Sequence, residues 1–543
     1  MRIGITSYLI LFSILSWAQT VGTIQNTAGS LNGYTLFSPT SSTEAFLIDN
    51  CGKVVNNWAS SYQPGLATYL LDDGSLLRTC KLSSPVFTQG GSGGRIERYD
   101  WEGTLIWEFN FSTNLYCQHH DIEYLPNGNI LILAVEKKTV TESVNAGRDP
   151  NSLPDGELWA EFIVEVQPIG SDSGQIVWEW HCWDHLIQNI DSTKNNYQTQ
   201  IDNPDKFNIN FMSNNSTLNK DWMHVNSIDY NLDLDQIILS SKKWSELWII
   251  DHSTTSNQAS SDSGGNSGKG GDIIYRWGNG AAYGQNIPKM LDNPHDIHWI
   301  DSGKVDAGKI MIFNNGKDRS WSSVDIITPP IDSSGNYILI NKIYGPSNLS
   351  WTYTDPTPSN FFARRISGAQ RLTNGNTLIC SGTGGYFFEI DSNKNIVWEY
   401  ISPITNNGIA TQGQLLPGPN NVFRAYRFGP DFTGFNNKNL IAGLPIELNP
   451  DTSNCMIFTN ILSSESKSDN YLNVFPNPFS ESISLNNILN YKGRNIEIYN
   501  LMGQLCFQTK ISGLSSKINL ETLPKGTYFL KIEKSKPISI VKY

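Results

Sequence analysis

The sequence predicts an all-β chain, a six-bladed β-propeller followed by a small C-terminal β-sandwich, on three observations. A strand–turn–strand phrase ending on tryptophan recurs. A second strand–turn–strand phrase lies between its copies, and the composition changes near Ser463. Composition agrees: charged residues are only 17%, while 16 Trp, 22 Tyr and 23 Phe bring the aromatics to 11%, a profile that favours strands.

The first phrase is clearest in "AFLIDNCGKVVNNW" (Ala45–Trp58), "GRIERYDWEGTLIWEF" (Gly94–Phe109), "FIVEVQPIGSDSGQIVWEW" (Phe162–Trp180), "LWIIDHSTT…GGDIIYRWG" (Leu247–Gly278) and "YFFEIDSNKNIVWEY" (Tyr386–Tyr400). A weaker copy spans Val324–Gly345. The second phrase reads "ATYLLDDGSLLRTC", "HDIEYLPNGNILIL", "HVNSIDYNLDLDQIIL", "HDIHWIDSGKVDAGKIMIF" and "SGAQRLTNGNTLIC". Asn-Gly and Asp-Gly tolerate the positive φ of a tight hairpin turn, so each pair of phrases predicts a four-stranded antiparallel sheet. One such sheet cannot bury both faces, whereas radial stacking of about six gives a continuous core. Insertions near 136–157, 181–221 and 253–271 fall on loops, where they can wall a pocket.

The chain opens "MRIGITSYLILFSILSWAQT", with Arg2, an apolar run from Leu9 to Leu15, and small residues at Ser16 and Ala18. Residues 1–18 are read as a secretory signal. The run is shorter than the roughly 20 apolar residues a membrane span needs, and no transmembrane segment is expected elsewhere. The protein is expected to be secreted or held at the cell surface. A net charge of −12 and no basic stripe argue against nucleic-acid partners. Seven cysteines, Cys51, Cys80, Cys117, Cys182, Cys380, Cys455 and Cys506, are too scattered for a zinc site. Export permits disulfides, and the odd count leaves at least one thiol unpaired. The boundaries that follow are a propeller over 19–462, a polar linker over 463–470 and a separate unit over 471–543.

That last unit carries Pro476-Asn477-Pro478, "IYNLMGQ" (Ile498–Gln504) and "LPKGTYFLKI" (Leu523–Ile532). It resembles the C-terminal sorting domain of the bacterial type IX secretion system. The resemblance implies that the secretion machinery is a partner and that the chemistry lies in the propeller.

Of the eight histidines, His120, His224 and His295 each open a copy of the second phrase. Equivalent positions in successive blades face one axis, so the three are candidates for a shared channel mouth. His119, His181, His185 and His252 sit beside loops and read as structural. His298, three residues after His295, points to the opposite face of its strand. Arg319, in "MIFNNGKDRS", ends the strand that partners His295, and a planar guanidinium suits sulfate or phosphate oxygens. Three histidines can also hold zinc, but an adjacent arginine would oppose a cation, and no metal is assigned.

"DWMHVNSIDYNLDLDQIILSS" (Asp221–Ser241), "NPHDIHW…KIMIFNNGKDR" (Asn293–Arg319) and "RRISGAQRLTNGNTLICSGTGGYFFEIDSNKNIVWEY" (Arg364–Tyr400) together resemble the bacterial aryl-sulfate sulfotransferases. That family consists of six-bladed propellers that move a sulfuryl group between phenols without a nucleotide donor. The resemblance implies that an aryl sulfate and a phenol are the small-molecule partners, that no cofactor is needed, and that His224, His295 and Arg319 bind and polarise the sulfate. No phosphate-cradling P-loop is found, which agrees. Asn226, Asn315, Ser367 and Arg365 are the accompanying substrate-binding candidates.

The sequence departs from the family pattern in one respect. The family's nucleophilic histidine is expected further along the chain, and no histidine follows His298. Aligning "SGAQRLTNGN" on "HDIEYLPNGN" places Ser367 where His120 stands, with Arg364, Arg365 and Gln370 nearby and no base among them. Three readings stay open. A histidine among His120, His224 and His295 acts as nucleophile, transfer is direct, or the site binds sulfated or anionic ligands without turnover.

Overall fold

The computed structural model describes residues 20–542 apart from 85, 213–218, 334, 452–454, 459–472, 476, 478, 487–493, 501–502, 511–515 and 533–537. The expected signal segment and linker lie outside the described residues. The chain divides into two units at Phe458/Thr459.

Among the described residues, the first unit holds six antiparallel sheets of four or five strands. The innermost strands are Pro64–Leu70, Tyr116–Tyr124, Val225–Asn231, His295–Trp299, Gly368–Arg371 and Val422–Phe428. Each packs against the next, and the last returns to the first, so the ring closes. For five sheets the chain runs outward in order from the inner strand, as the paired phrases predict. The closing sheet differs: Val422–Phe428 from the end of the ring pairs with Tyr34–Pro39, followed by Glu44–Asp49 and Val54–Ala59 from its start. Gly22–Asn26 adds a fifth strand outside Ile396–Ile401.

The repeated tryptophan has a physical role. Its indole N–H donates to the backbone of the neighbouring sheet: Trp58 to Asp100 O (2.9 Å), Trp107 to Ser173 O (2.9 Å), Trp180 to Gly271 O (2.7 Å), Trp277 to Pro346 O (2.8 Å) and Trp398 to Asn50 O (2.8 Å). A large apolar ring fills the wedge between two sheets while its one polar atom is satisfied.

The weak copy over Val324–Gly345 is corrected. Ser323–Ile327 is a strand as expected, but the fourth strand of that sheet is Trp351–Tyr353, and Leu339–Ile340 and Ile343–Tyr344 form a separate small hairpin. Pro329 and Pro330 lack the N–H groups a strand needs to continue.

In the second unit, one sheet of Asn473–Phe475, Ser482–Asn486 and Ser516–Asn519 accompanies another of Asn495–Asn500, Leu505–Lys510, Gly526–Ile532 and Ile538–Lys542. Ile483, Leu485, Ile496, Ile498, Leu530 and Ile532 form its buried core, consistent with the expected sandwich.

Candidate functional site

The inner strands do not run regularly into the channel. Register slips interrupt the pairing opposite His119–Asp121, within Val225–Ser227, within His295–His298, within Pro64–Thr68 and opposite Val422–Ala425. Positive φ falls at the same places, at Leu66 (102°), His120 (50°), His224 (53°) and Asp296 (51°), and at Ile366 (49°) and Ser367 (88°) ahead of Gly368. A bulge leaves one residue out of the ladder and re-aims its neighbours, so here the residues opening each inner strand turn toward the axis.

His120, His224 and His295 are all buried. The His120 and His224 rings lie 4.8 Å apart at 77°. His224 Nδ1 is 2.6 Å from Asp221 Oδ2. Burial pushes the Asp221 carboxyl up, but His224 and Lys243 outweigh it and hold it well below the usual carboxylate range. Asp221 therefore accepts, and His224 carries its proton on Nδ1. Burial also lowers the His224 pKa, against the pull of Asp221 and with the push of Lys242.

His295 is fully engaged. The Asn315 amide donates to Ala363 O (2.6 Å) and Ile366 O (2.9 Å), so only its oxygen faces His295 Nδ1, at 2.7 Å. Nδ1 must donate, and Nε2 accepts the Ile366 N–H at 3.1 Å. Burial, then Lys242, holds His295 well below the ordinary histidine pKa. For His120 the causes are burial, then His224, His119 and His295, in the same direction. Three neutral imidazoles result.

A group of cations faces them. Lys242, half-buried, follows the strand Gln236–Ser241, and its backbone N–H donates to His224 O (3.1 Å). Its pKa is pushed down to about 8 by burial, opposed by Asp221 and reinforced by Lys243, Lys317 and Arg365. Lys317 and Arg365 are exposed. Several positive charges beside neutral imidazoles suit an anion far better than a metal ion. Among the described residues no cluster of His, Cys, Asp or Glu could hold a metal.

The remaining sequence candidates stand as follows. Arg319 donates to Trp321 O (2.9 Å), Asn314 O (3.3 Å) and Ser323 Oγ (2.7 Å), and its guanidinium lies 3.7 Å over the Trp321 ring. Its partners among the described residues thus belong to its own loop and strand. Ser367 is buried, with its hydroxyl donating to Arg365 O (3.3 Å) and accepting the Gly382 N–H (2.9 Å). Asn226 donates to Pro294 O (2.9 Å) and ties two sheets together, leaving its buried Oδ1 without a hydrogen-bond donor among the described atoms.

Sequence reasoning missed Asp121, Asp296 and Arg424. Arg424 crosses the axis from the closing sheet: NH1 donates to Asp121 Oδ2 (2.8 Å) and Tyr69 OH (3.1 Å), NH2 to Asn226 O (3.3 Å), and Nε lies 2.8 Å from Asp296 Oδ1. The Ala369 N–H donates to Asp296 Oδ2 at 2.8 Å, so all six inner strands meet on this ion-pair network. A side chain at Gly368 would put a Cβ 2.3 Å from Asp296 Oδ2, which is why a glycine stands there. The "His-Asp" dipeptides at 120–121 and 295–296 were the available signal. His181, His185 and His252 pair with Glu136, Asp272 and Asp235 at 3.0, 2.6 and 2.8 Å, as loop anchors. Further along the inner strands, beyond Arg424, a cavity is lined by Glu123, Asp229, Asp301 and His298 together with Lys304 and Arg371.

These features define a class, a propeller with buried imidazoles beside a lysine at the start of its inner strands. The chain matches the family model described as Arylsulfotransferase (ASST) over residues 23–412, and it belongs to that family. Residues 473–543 match the secretion-system C-terminal sorting domain. Among curated proteins no match is found. Solved structures with similar topology include a protein of unknown function from Bacteroides caccae (10% identity, 73% of this chain and 99% of that one, TM-score 0.39). Others are virginiamycin B lyase from Staphylococcus aureus (12%, 70% and 88%, 0.31) and the β-propeller domain of Myceliophteria thermophila Cps50 (9%, 71% and 87%, 0.32).

Proposed function

We propose that this protein is an exported sulfuryl transferase that moves the group from an aryl sulfate ester to a phenolic acceptor, with no nucleotide donor. The observation that carries the reading is the meeting of His120, His224 and His295 beside Lys242, in a member of this family. Lys242, with Lys317 and Arg365 outside it, attracts the sulfate ester. The imidazoles are neutral and can offer a lone pair or hold a proton at neutral pH. A cation held beside developing charge in a partly dry site lowers the barrier, and losing one such group typically costs about 100- to 1000-fold in rate. Family resemblance supplies the two-step route through a sulfated histidine. The sorting domain and the expected signal segment support export through the type IX machinery to the surface or medium.

A second reading is favoured by Ser367 and Arg319: a family member that binds sulfated or anionic ligands without turnover. The full-length secreted chain with 4-nitrophenyl sulfate and phenol separates the two. The transferase reading expects 4-nitrophenolate and phenyl sulfate in equal amounts, and loss of both in His224→Ala. Binding without either product supports the second reading.

A further inference from the structure

We infer that His120 is the residue that carries the sulfuryl group between donor and acceptor, and that Glu161 and His119 hold it in the tautomer this role requires. The inference rests on the transferase reading and adds the residues that perform it. His119 Nε2 is 2.9 Å from Glu161 Oε2, and His119 Nδ1 is 2.9 Å from His120 Nδ1. Glu161 Oε1 accepts the Val225 N–H at 2.9 Å, so the carboxylate is held from both ends. All three side chains are buried.

These contacts form one chain from Glu161 through His119 to His120, and the protons are assigned along it. In the proposed relay the Glu161 carboxylate accepts from His119 Nε2, its Oε1 already accepting from Val225. In that relay His119 Nδ1 accepts in turn from His120 Nδ1. That leaves the unshared lone pair of His120 on Nε2. Gly91 approaches this ring closely: its carbonyl accepts the His120 N–H at 2.7 Å, and a Cβ there would lie 2.2 Å from both Cε1 and Nε2 and 2.5 Å from Cδ2. Near-equal distances place that contact over the ring face, so the in-plane direction of the Nε2 lone pair is not obstructed by it.

The alternatives are weaker by the same reasoning. His295 has both nitrogens engaged, and the Ser367 hydroxyl is buried between two backbone partners. Among the described residues His224 has a hydrogen-bond partner only on Nδ1, where the Asp221 carboxylate sits directly and makes it the more basic ring, better suited to hold a proton. A carrier must also leave in the second step, which favours the less basic imidazole.

In the first step the Nε2–S bond forms and the S–O(aryl) bond breaks, with the electron pair leaving on the phenolate. The positive charge on the sulfated ring is balanced through its Nδ1–H by His119 and the Glu161 carboxylate. In the second step the acceptor oxygen bonds to sulfur, the S–N bond breaks, and its electron pair returns to Nε2. The proton lost by the acceptor phenol equals the one gained by the released phenolate.

The test uses the full-length chain with 35S-labelled 4-nitrophenyl sulfate and no acceptor, quenched in alkali and mapped by peptide mass spectrometry. Label is expected on His120. Label on His224 or another residue, with turnover intact, overturns this assignment and leaves the transferase reading standing, whereas no label and no transfer overturns both. Histidine ring 15N spectra of the unreacted protein should show His120 protonated on Nδ1, and protonation on Nε2 instead contradicts the relay without reference to turnover. In Glu161→Gln, one amide cannot accept from both Val225 and His119, so kcat should fall by roughly 10²- to 10⁴-fold, the scale seen when a catalytic imidazole loses the partner fixing its tautomer. KM should change little, and an unchanged kcat overturns the positioning role.

Discussion

Lys242 illustrates how a residue takes its properties from its surroundings. It follows "IILSS" as one of two adjacent lysines, with nothing in the sequence to mark it. Burial and three neighbouring cations bring its pKa to about 8, so it titrates where an exposed lysine does not. On the proposed reading the ammonium attracts the sulfate and the amine does not, so affinity for a non-transferable alkyl sulfate should fall as pH rises through this value. If the charge is essential, calorimetry should find the dissociation constant rising about tenfold from pH 7 to pH 9. Asp221 stays ionised and the three imidazoles stay neutral across that window, so the change is Lys242's own, and Lys242→Met should abolish it. His224, His295 and Asn315 were legible as candidates because they open or close recognisable strands. Asp221 and His119 were adjacent to those motifs, but only the fold shows that one fixes the His224 tautomer and the other lies behind His120. Arg319 was expected to bind the sulfate, and its hydrogen bonds go to Trp321, Asn314 and Ser323. Its role is better tested by Arg319→Lys, which keeps the charge but loses the planar fork, and activity within about threefold of wild type is expected.

At the scale of strands, the hairpins were readable because Asn-Gly turns and period-two alternation are local signals. The bulges were not, because an extra residue in an inner strand becomes visible only against its partner. Nor was the pairing of Val422–Phe428 with Tyr34–Pro39, which joins segments from opposite ends of the ring. Arg424 comes in on that closing strand and lies between two buried aspartates. Replacing it with methionine leaves Asp121 and Asp296 buried without their counter-charge. The expected cost is about 3–5 kcal/mol, to be read as a lower denaturant midpoint with the other blades' sequences unchanged. A midpoint within error of wild type would mean that the network orients the strands without stabilising them.

Across the whole molecule, closure depends on contacts between the two ends of the propeller. The disulfide Cys51–Cys455 spans 404 residues and ties the segment beyond the ring to the closing sheet. The sequence allowed this pairing without selecting it, and Cys80, Cys117, Cys182, Cys380 and Cys506 are free. Cys51→Ser should lower stability by about 2–5 kcal/mol, measured as a drop in Tm that a reducing agent reproduces in the wild type. The net charge of −12 hid a cationic site, because a sum over the chain says nothing of where charges gather. The most direct test of the account is the fate of sulfur when the full-length chain meets 35S-labelled 4-nitrophenyl sulfate and phenol. The account predicts that nearly all the label released from the donor appears in phenyl sulfate. Label recovered as inorganic sulfate, or remaining in the donor, would contradict it.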